Sequence, residues 1–222
     1  MYGSSFTATP SPAALEWAET RASELGGHRL LTGGWSTNTG LFEEIEGRGY
    51  ALTRQSATLE IELTNDLPEP VWPDDVAPRA MREGEERTFY EVHQEAFRDT
   101  WEHTEDPFEE WSHWLLHPSR FDPGLWFLAS ADGDACGIAI CEPRPALPDL
   151  GWVRILAVRR EWRRRGVGRA LLLHSLHSLR ERGFARAGLG VDSASPTGAH
   201  TLYESAGMRA THRIDIYERT VP

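Results

Sequence analysis

The sequence predicts an α/β (α+β) fold in which helices and strands alternate, and three observations support this class. The chain has 222 residues, 40% of them hydrophobic, enough to fill a core and to exclude global disorder. Apolar residues recur at helical spacing in some segments and alternate with polar residues in others. The Asp132-Gly133 step between two apolar runs is typical of a β-hairpin.

The sequence of the N-terminal part predicts two helices and a long strand. Ser11 is a favourable N-cap for a helix over residues 11–26. A second helix is expected from 39 to 46, because glycines follow it. Apolar and acidic residues then alternate within 50–63, which is the pattern of a half-buried strand.

A proline-rich stretch follows this segment. Four prolines and four acidic residues lie between Asn65 and Pro78 with little apolar content, which is the composition of an extended linker. We therefore predict a domain over residues 1–67, a linker over 68–77 and a larger domain over 78–222.

The larger domain is predicted to alternate helices and strands to its end. Its strand over 151–158 is apolar at nearly every position except Arg154, as expected for a central strand covered on both faces. A long helix follows and ends before Gly183. The other predicted elements are helices around 89–97, 107–117 and 198–206, and strands over 126–130, 137–142, 185–191 and 208–219.

Charge and composition exclude several classes of protein. The 34 acidic and 23 basic residues give a net charge of -11, which would repel a polyanion, so no nucleic acid is expected as a partner. The sequence has no signal-peptide pattern and no run of about 18 apolar residues, so we expect a cytoplasmic protein without a membrane partner. Cys136 and Cys141 lack the neighbours of a zinc site, and no metal is expected.

The junction between residues 158 and 170 has the features of an anion site. Gly166 and Gly168 stand where a strand passes into a helix, and free backbone N–H groups at a helix N-terminus favour a pyrophosphate. Six arginines between 159 and 169 can add charge-assisted hydrogen bonds. The alternative is a solvated run of charge, because a Gly-x-Gly pattern alone has low specificity.

Two motifs together resemble the GNAT superfamily of N-acetyltransferases. They are Arg-x-x-Gly-x-Gly at Arg163, Gly166 and Gly168, and the segment 191–208, which reads VDSASPTGAHTLYESAGM. With the order of elements from 78 to 220, the resemblance covers about two thirds of the chain. It implies a mixed, mostly antiparallel central sheet flanked by helices, and an acyl-CoA-dependent N-acyltransferase.

The resemblance also implies a binding site for acetyl-CoA, the expected acyl donor. Leu156, Ala157 and Val158 match the splayed strand whose backbone pairs with the pantetheine arm and polarises the thioester carbonyl. Ser195 stands where many members have an asparagine that contacts the same arm. The pyrophosphate is expected on the backbone amides of Arg163, Arg164, Arg165, Gly166, Val167, Gly168, Arg169 and Ala170.

Two residues are candidates for acid–base catalysis. Tyr203 matches the family tyrosine whose phenol protonates the departing thiolate, although a helix tyrosine can also simply pack in a core. An alkylammonium acceptor must lose a proton before attack, and Glu142 is the best-placed carboxylate, unless it is a solvated strand end. Asp149 and His93 are weaker candidates. Relatives resembling mycothiol synthase use a carboxylate on the central strand, where this chain has Trp152.

Four tryptophans lie in the region that shapes the acceptor pocket in this superfamily. They would suit a bulky or apolar acceptor, but the two at helical spacing can equally be core residues. The four are Trp101, Trp111, Trp114 and Trp126.

Residues 1–67 resemble the C-terminal half of a second acetyltransferase repeat, as in tandem members similar to mycothiol synthase. Leu41-Phe42-Glu43, which a strand precedes and a long strand follows, corresponds to Leu202-Tyr203-Glu204. The glycines and arginines of the anion site have no counterpart, so no CoA site is expected in this part. A half-sheet leaves strand edges that the other domain or a second subunit, as in a homodimer, would cover.

These expectations define a hypothesis and an alternative. The hypothesis is transfer of an acetyl group from acetyl-CoA to the amine of a small-molecule acceptor by direct attack, in which positioning does most of the work. The alternative is a catalytically weak CoA-binding or regulatory module of the same fold, which Trp152 and the incomplete first repeat would both fit. Release of free thiol distinguishes the two.

Overall fold

The computed structural model describes residues 11–27, 29–101, 103–193 and 198–221. The described chain forms two compact units. The first contains the described residues of Met1–Thr58, Val191–Ala194 and Ala210–Pro222, and the second those of Leu59–Gly190 and Ser195–Arg209. None of the helices in these ranges is long and apolar enough to cross a lipid bilayer.

The described residues form six α-helices and eight β-strands, with short 3-10 helices at Pro123–Leu125 and Arg160–Trp162. In chain order they are α1 (Pro12–Glu24), β1 (Arg29–Trp35), α2 (Thr39–Gly47), β2 (Ala51–Glu62), β3 (Val76–Ala80), α3 (Glu86–Phe97), α4 (Phe108–Leu115), β4 (Trp126–Ala131), β5 (Asp134–Pro143), β6 (Leu150–Val158), α5 (Val167–Glu181), β7 (Arg186–Asp192), α6 (Ala199–Ser205) and β8 (Arg209–Thr220).

The first unit packs α1 and α2 against strands in the order β1-β8-β2. Ser11 and Asn38 accept hydrogen bonds from backbone N–H groups and cap the two helices, as their residue types favour. Phe42 of α2 stacks on Tyr217 of β8, with ring centroids 5.0 Å apart. The described core of this unit is therefore aromatic and aliphatic.

The second unit contains strands in the order β7-β6-β5-β4-β3. The pairs from β3 to β6 are antiparallel, and β6 pairs with β7 in parallel. Helices α3 and α4 cover one face, where Phe89 and Trp111 join the isoleucines of β5 in one apolar cluster. Helix α5 lies against Gly151 of β6, where an added Cβ would come within 2.6 Å of Leu179. This arrangement is the predicted mixed, mostly antiparallel sheet flanked by helices, so the fold class is confirmed.

A bulge interrupts the pairing of β5 with β6. Ile140 lies opposite Ile155, but the next residue, Cys141, lies opposite Val153. Arg154 is therefore an extra residue on β6, and such a bulge redirects side chains locally. The only charged residue of the strand stands at this irregular position.

The predicted elements agree with the structure to within a few residues, and one strand, β3, is not among them. The first helix ends at Glu24 rather than 26, because Gly26 has a φ of 95° and leaves the helical region. Strand β3 begins inside the predicted linker; its Pro78 is tolerated because β3 stands at the end of the strand order. The boundaries 1–67 and 78–222 stay a prediction about repeats, since β8 groups with the first unit.

Candidate active site

The turn between β6 and α5 leaves the N-terminus of α5 open. Gly166 is the N-cap of the helix, with φ 91° and ψ -15°, and no side chain caps the helix. The N–H of Ala170 donates to the Gly166 carbonyl at 3.0 Å. The N–H groups of Val167, Gly168 and Arg169 precede this first intrahelical donor, have no acceptor within the helix and are available to a ligand. A left-handed φ explains why glycine stands at 166.

The side chains around this turn add positive charge. Arg164 and Arg165 are exposed, Arg169 is half-buried, and the guanidinium of Arg165 lies 4.8 Å from the ring centroid of Trp162. A Cβ built on Gly166 would meet no atom within 4 Å, so the space above the turn is open. Free N–H groups, the helix dipole and these arginines together fit a phosphate group.

Arg163 has a different role from its neighbours. Its Nε donates to the Val158 carbonyl at 3.2 Å, and its Nη2 donates to the Ala96 carbonyl at 2.7 Å. Arg160 pairs with Asp99 next to it. Arg163 thus fastens the turn to the end of β6 and to α3, and only its remaining N–H groups could contact a phosphate.

The end of β6 has one open edge. Its parallel pairing with β7 covers only Leu150, Gly151 and Trp152, whereas its pairing with β5 continues to Val158. Within the described residues, the backbone of 153–158 is therefore unpaired on the side of β7. An exposed strand edge of this kind offers N–H and C=O groups to an extended ligand. Leu156, Ala157 and Val158, predicted for the pantetheine arm, all lie on it.

Tyr203 is on the short helix α6, next to the start of α5. The side chain of the preceding residue, Leu202, lies 3.4 Å from a Cβ built on Gly168. Tyr203 is 8% exposed, and burial raises the pKa of its phenol to about 12. Its hydroxyl has no hydrogen-bond partner among the described residues, so it is a protonated donor that is available to a substrate. Ser195 lies outside the described residues.

Glu142 is buried at the end of β5. The residue is 4% exposed, and its Oε1 accepts a hydrogen bond from Arg154 Nη1 at 3.1 Å. It lies opposite Trp152 on β6. The alternative of a solvated strand end is therefore wrong, and the bulge brings Glu142 together with the single charged residue of the central strand.

The two weaker candidates for the base are engaged elsewhere. Asp149 is exposed and pairs with Arg186 at 2.9 Å. The Nδ1 of His93 accepts a hydrogen bond from Trp111 Nε1 at 2.9 Å. Burial, with smaller contributions from the charges of His103 and Arg154, lowers the pKa of His93 to about 4. The neutral ring carries its proton on Nε2, so neither nitrogen is free to accept one.

The tryptophans divide between core and surface. Trp111 and Trp126 are buried, with ring centroids 6.0 Å apart in an edge-to-face contact. Trp114 is 48% exposed on α4. Trp111 and Trp126 are therefore core residues, as the alternative prediction had it. Both rings belong to the apolar cluster between the sheet and helices α3 and α4.

Two arginines near Glu142 were not predicted as site residues. Arg144 places its guanidinium 4.0 Å from the ring centroid of Trp152, and Arg154 binds Glu142. The isolated arginine within an apolar strand was a signal for Arg154. The sequence carries no comparable signal for Arg144.

Comparisons with known proteins identify the family of the chain. A family model described as the acetyltransferase (GNAT) family matches residues 86–208. Mycothiol acetyltransferases of Thermobispora bispora and Streptomyces griseus are 34% and 33% identical, over 72% and 78% of this chain and 56% and 55% of their own lengths.

A solved structure gives the same result. The GCN5-related N-acetyltransferase from Sphaerobacter thermophilus is 29% identical, with a TM-score of 0.81 over 94% of this chain and 65% of that one. The chain spans about half the length of the curated relatives that it matches. The family match covers both the β6–α5 turn and Tyr203, so this chain belongs to the acetyltransferase (GNAT) family.

Proposed function

We propose that this chain transfers an acetyl group from acetyl-CoA to the amine of a small-molecule acceptor by direct attack, without a covalent enzyme intermediate. The observation that carries the proposal is the open N-terminus of α5 beside the unpaired edge of β6. These two features provide a phosphate site and an extended backbone edge side by side. Membership of the family supports the acyl-CoA class of donor.

The residues present fit this donor. The N–H groups at the start of α5, with Arg164, Arg165 and Arg169, would hold the pyrophosphate. The edge at Leu156–Val158 would bind the pantetheine amides, and a backbone N–H there would polarise the thioester carbonyl. Bound there, acetyl-CoA would supply the activated acyl group.

Two side chains of the chain would move protons. The acceptor ammonium would lose a proton to Glu142, directly or through a water molecule, and the neutral nitrogen would form the new N–C bond as the C–S bond breaks. Tyr203 would donate its proton to the departing thiolate and regain one from the acetylated nitrogen, which loses its second proton to become the acetamide. The products are the acetamide, free CoA thiol and one proton. With a pKa of about 12, Tyr203 stays protonated at neutral pH and can donate in every cycle.

A CoA-binding module without activity is the second candidate. The observation in its favour is that Oε1 of Glu142 already accepts a hydrogen bond from Arg154. Trp152 also stands where relatives resembling mycothiol synthase have a carboxylate. Free thiol formation with acetyl-CoA and a panel of amines separates the two. The panel begins with the acceptor of the mycothiol acetyltransferases, because the relatives carry that name.

The experiment has two steps. Calorimetric titration with acetyl-CoA first tests binding by the wild type. Thiol release with the amine panel then tests transfer, with Tyr203→Phe and Glu142→Gln as probes. Saturable binding without thiol release from any amine would favour the module. No binding would refute both candidates.

We also propose that residues 1–67 are a partial acetyltransferase repeat with a structural role. Strands β1 and β2 flank β8 in the first unit, so this part supplies both neighbours of the last strand. The sequence from Thr7 to Pro12, which aligns with the β6–α5 turn, lacks the glycines and arginines of that turn.

A further inference from the structure

Two arginines of the second unit, Arg144 and Arg154, lie near the carboxylate of Glu142, and the charge of a third, Arg120, acts on Arg144. We call Arg120, Arg144 and Arg154 the arginine cluster. Arg154 contacts Glu142 at 3.1 Å, and the charges of Arg154, Arg120 and Glu142 all act on Arg144. The cluster therefore has more positive than negative charge, in a chain whose net charge is -11.

The side chain of Arg144 lacks hydrogen-bond partners within the described part of the chain. Its Nε is buried without a hydrogen-bond partner. Among the residues that the structure describes, neither Arg144 nor Arg120 makes a side-chain hydrogen bond or ion pair. The Trp152 ring holds the guanidinium plane by a cation–π contact at 4.0 Å.

The electrostatics agree with this geometry. Burial lowers the pKa of Arg144, Glu142 raises it, and Arg154 and Arg120 lower it again. Arginine nevertheless remains charged in proteins. A partly buried cation without a partner is unfavourable, so an anion bound at this position would be stabilised.

The cluster lies on the acceptor side of the proposed reaction. Arg154 and Trp152 precede Leu156 by two and four residues, about 7 and 13 Å along the strand. The phosphate turn follows Val158 at the opposite end of β6. A donor that enters from that turn leaves the other end of the strand to the acceptor. A depression of about 370 Å3 is lined by Arg120 and by Pro143, the residue between Glu142 and Arg144.

We propose that the arginine cluster binds an anionic group, a carboxylate or a phosphate monoester, on the amine acceptor. The proposal rests on the transferase function argued above. Guanidinium groups bind both anions through paired, charge-assisted hydrogen bonds. Trp152 fixes the plane of Arg144, while Glu142 stands next to the cluster to receive the proton of the amine. The cluster would thus select acceptors that carry an amine and an anion a few bonds apart.

The test compares matched pairs of amines that differ in the anion. One pair is 6-aminohexanoate and 6-aminohexanamide, and the other is glucosamine 6-phosphate and glucosamine. Thiol release gives kcat and KM for each, and calorimetry in the presence of CoA gives acceptor binding without turnover. The variants are Arg144→Gln and Arg120→Gln. Arg82→Gln is the control, because Arg82 is an exposed arginine of the same unit. Thermal unfolding checks that each variant folds.

The wild type should prefer the anionic member of at least one pair by roughly 10- to 100-fold in kcat/KM, mainly through KM. Arg144→Gln should reduce this preference to about threefold or less, and Arg82→Gln should keep it. The pair that shows the effect distinguishes carboxylate from phosphate.

Two results would overturn the inference: equal kcat/KM within both pairs, or a preference that survives both variants. If no amine is acetylated, calorimetry still tests whether the arginine cluster binds an anion. Binding of an anionic member that depends on Arg144 supports the anion site while the transferase function fails, and absence of such binding refutes the site.

Discussion

Replacement of Gly166 separates backbone strain from electrostatic repulsion at the proposed phosphate site. Gly166 has a φ of 91°, and a Cβ added there would meet no atom within 4 Å. Alanine and glutamate at this position therefore have the same cost of a left-handed backbone, and the Cβ of neither clashes with another residue. Only glutamate adds a negative charge beside the N–H groups of α5. Gly166→Ala is thus the matched control for Gly166→Glu.

The two substitutions should lower the melting temperature equally but reduce the affinity for acetyl-CoA by different factors. A left-handed conformation costs a residue with a Cβ about 1–2 kcal/mol, which should lower the melting temperature of either variant by a few degrees, since about 1 kcal/mol corresponds to roughly 2–4 °C at this size. Two unit charges 4 Å apart repel by about 4 kcal/mol at an effective dielectric constant of 20. Salt and side-chain freedom reduce this to about 2 kcal/mol at an exposed turn, or roughly 30-fold in affinity.

Calorimetric titration with acetyl-CoA and thermal unfolding measure these effects. Gly166→Ala should bind within about threefold of the wild type, and Gly166→Glu roughly 30-fold more weakly, at equal melting temperatures. Raising the salt concentration should narrow the difference between the two variants. Equal affinities for both would refute a phosphate site at the start of α5.

Four further predictions follow from the described contacts. Tyr203→Phe should lower kcat roughly 100-fold with acetyl-CoA affinity unchanged in calorimetry, and an unchanged kcat would remove the proposed proton donor. Because burial lowers the pKa of His93 to about 4, the unfolded chain binds a proton first as the pH falls below about 6.5. The wild type should therefore lose about 2 kcal/mol more stability than His93→Gln between pH 7.5 and pH 5 in urea unfolding, and parallel losses would contradict this. Gly151→Ala places a Cβ 2.6 Å from a leucine of α5 and should cost about 1–3 kcal/mol in thermal unfolding, whereas Gly190→Ala, with open space, should cost less. Deletion of residues 1–67 removes both neighbours of β8 and should reduce solubility and melting temperature; an unaltered protein would refute the structural role.

The parts of the fold that the sequence predicts are those specified by local pattern. The central strand is an apolar run, the long helix ends before a glycine, and a serine caps α1, so their positions follow from neighbouring residues. Strand β3 was missed because Pro78 is compatible with a strand only at a sheet edge, which is a property of the whole sheet. The grouping of β8 with the N-terminal unit likewise depends on pairing between residues far apart in sequence.

The same distinction applies to the site. The turn at Gly166 could be predicted, because its left-handed backbone and free N–H groups are local requirements that glycine satisfies. The ion pair between Glu142 and Arg154 could not, because Arg154 stands at a bulge that forms only when β5 and β6 pair. Arg120 and Arg144 stand on separate loops, where the charge of one acts on the other, and no periodicity connects them.

The ion pair between Glu142 and Arg154 decides which substitution can test the proposed base. Removing Arg154 would leave a buried carboxylate without its partner, which typically costs about 3–5 kcal/mol and would confuse a loss of folding with a loss of activity. Glu142→Gln keeps an oxygen that accepts from Arg154 and removes only the basic carboxylate. A large fall in kcat in a folded Glu142→Gln variant therefore assigns the proton transfer to Glu142. An unchanged kcat makes Glu142 a counter-ion that keeps Arg154 in place and leaves the proton to solvent, in which case positioning of the amine against the β6 edge is the main contribution of the protein to the rate.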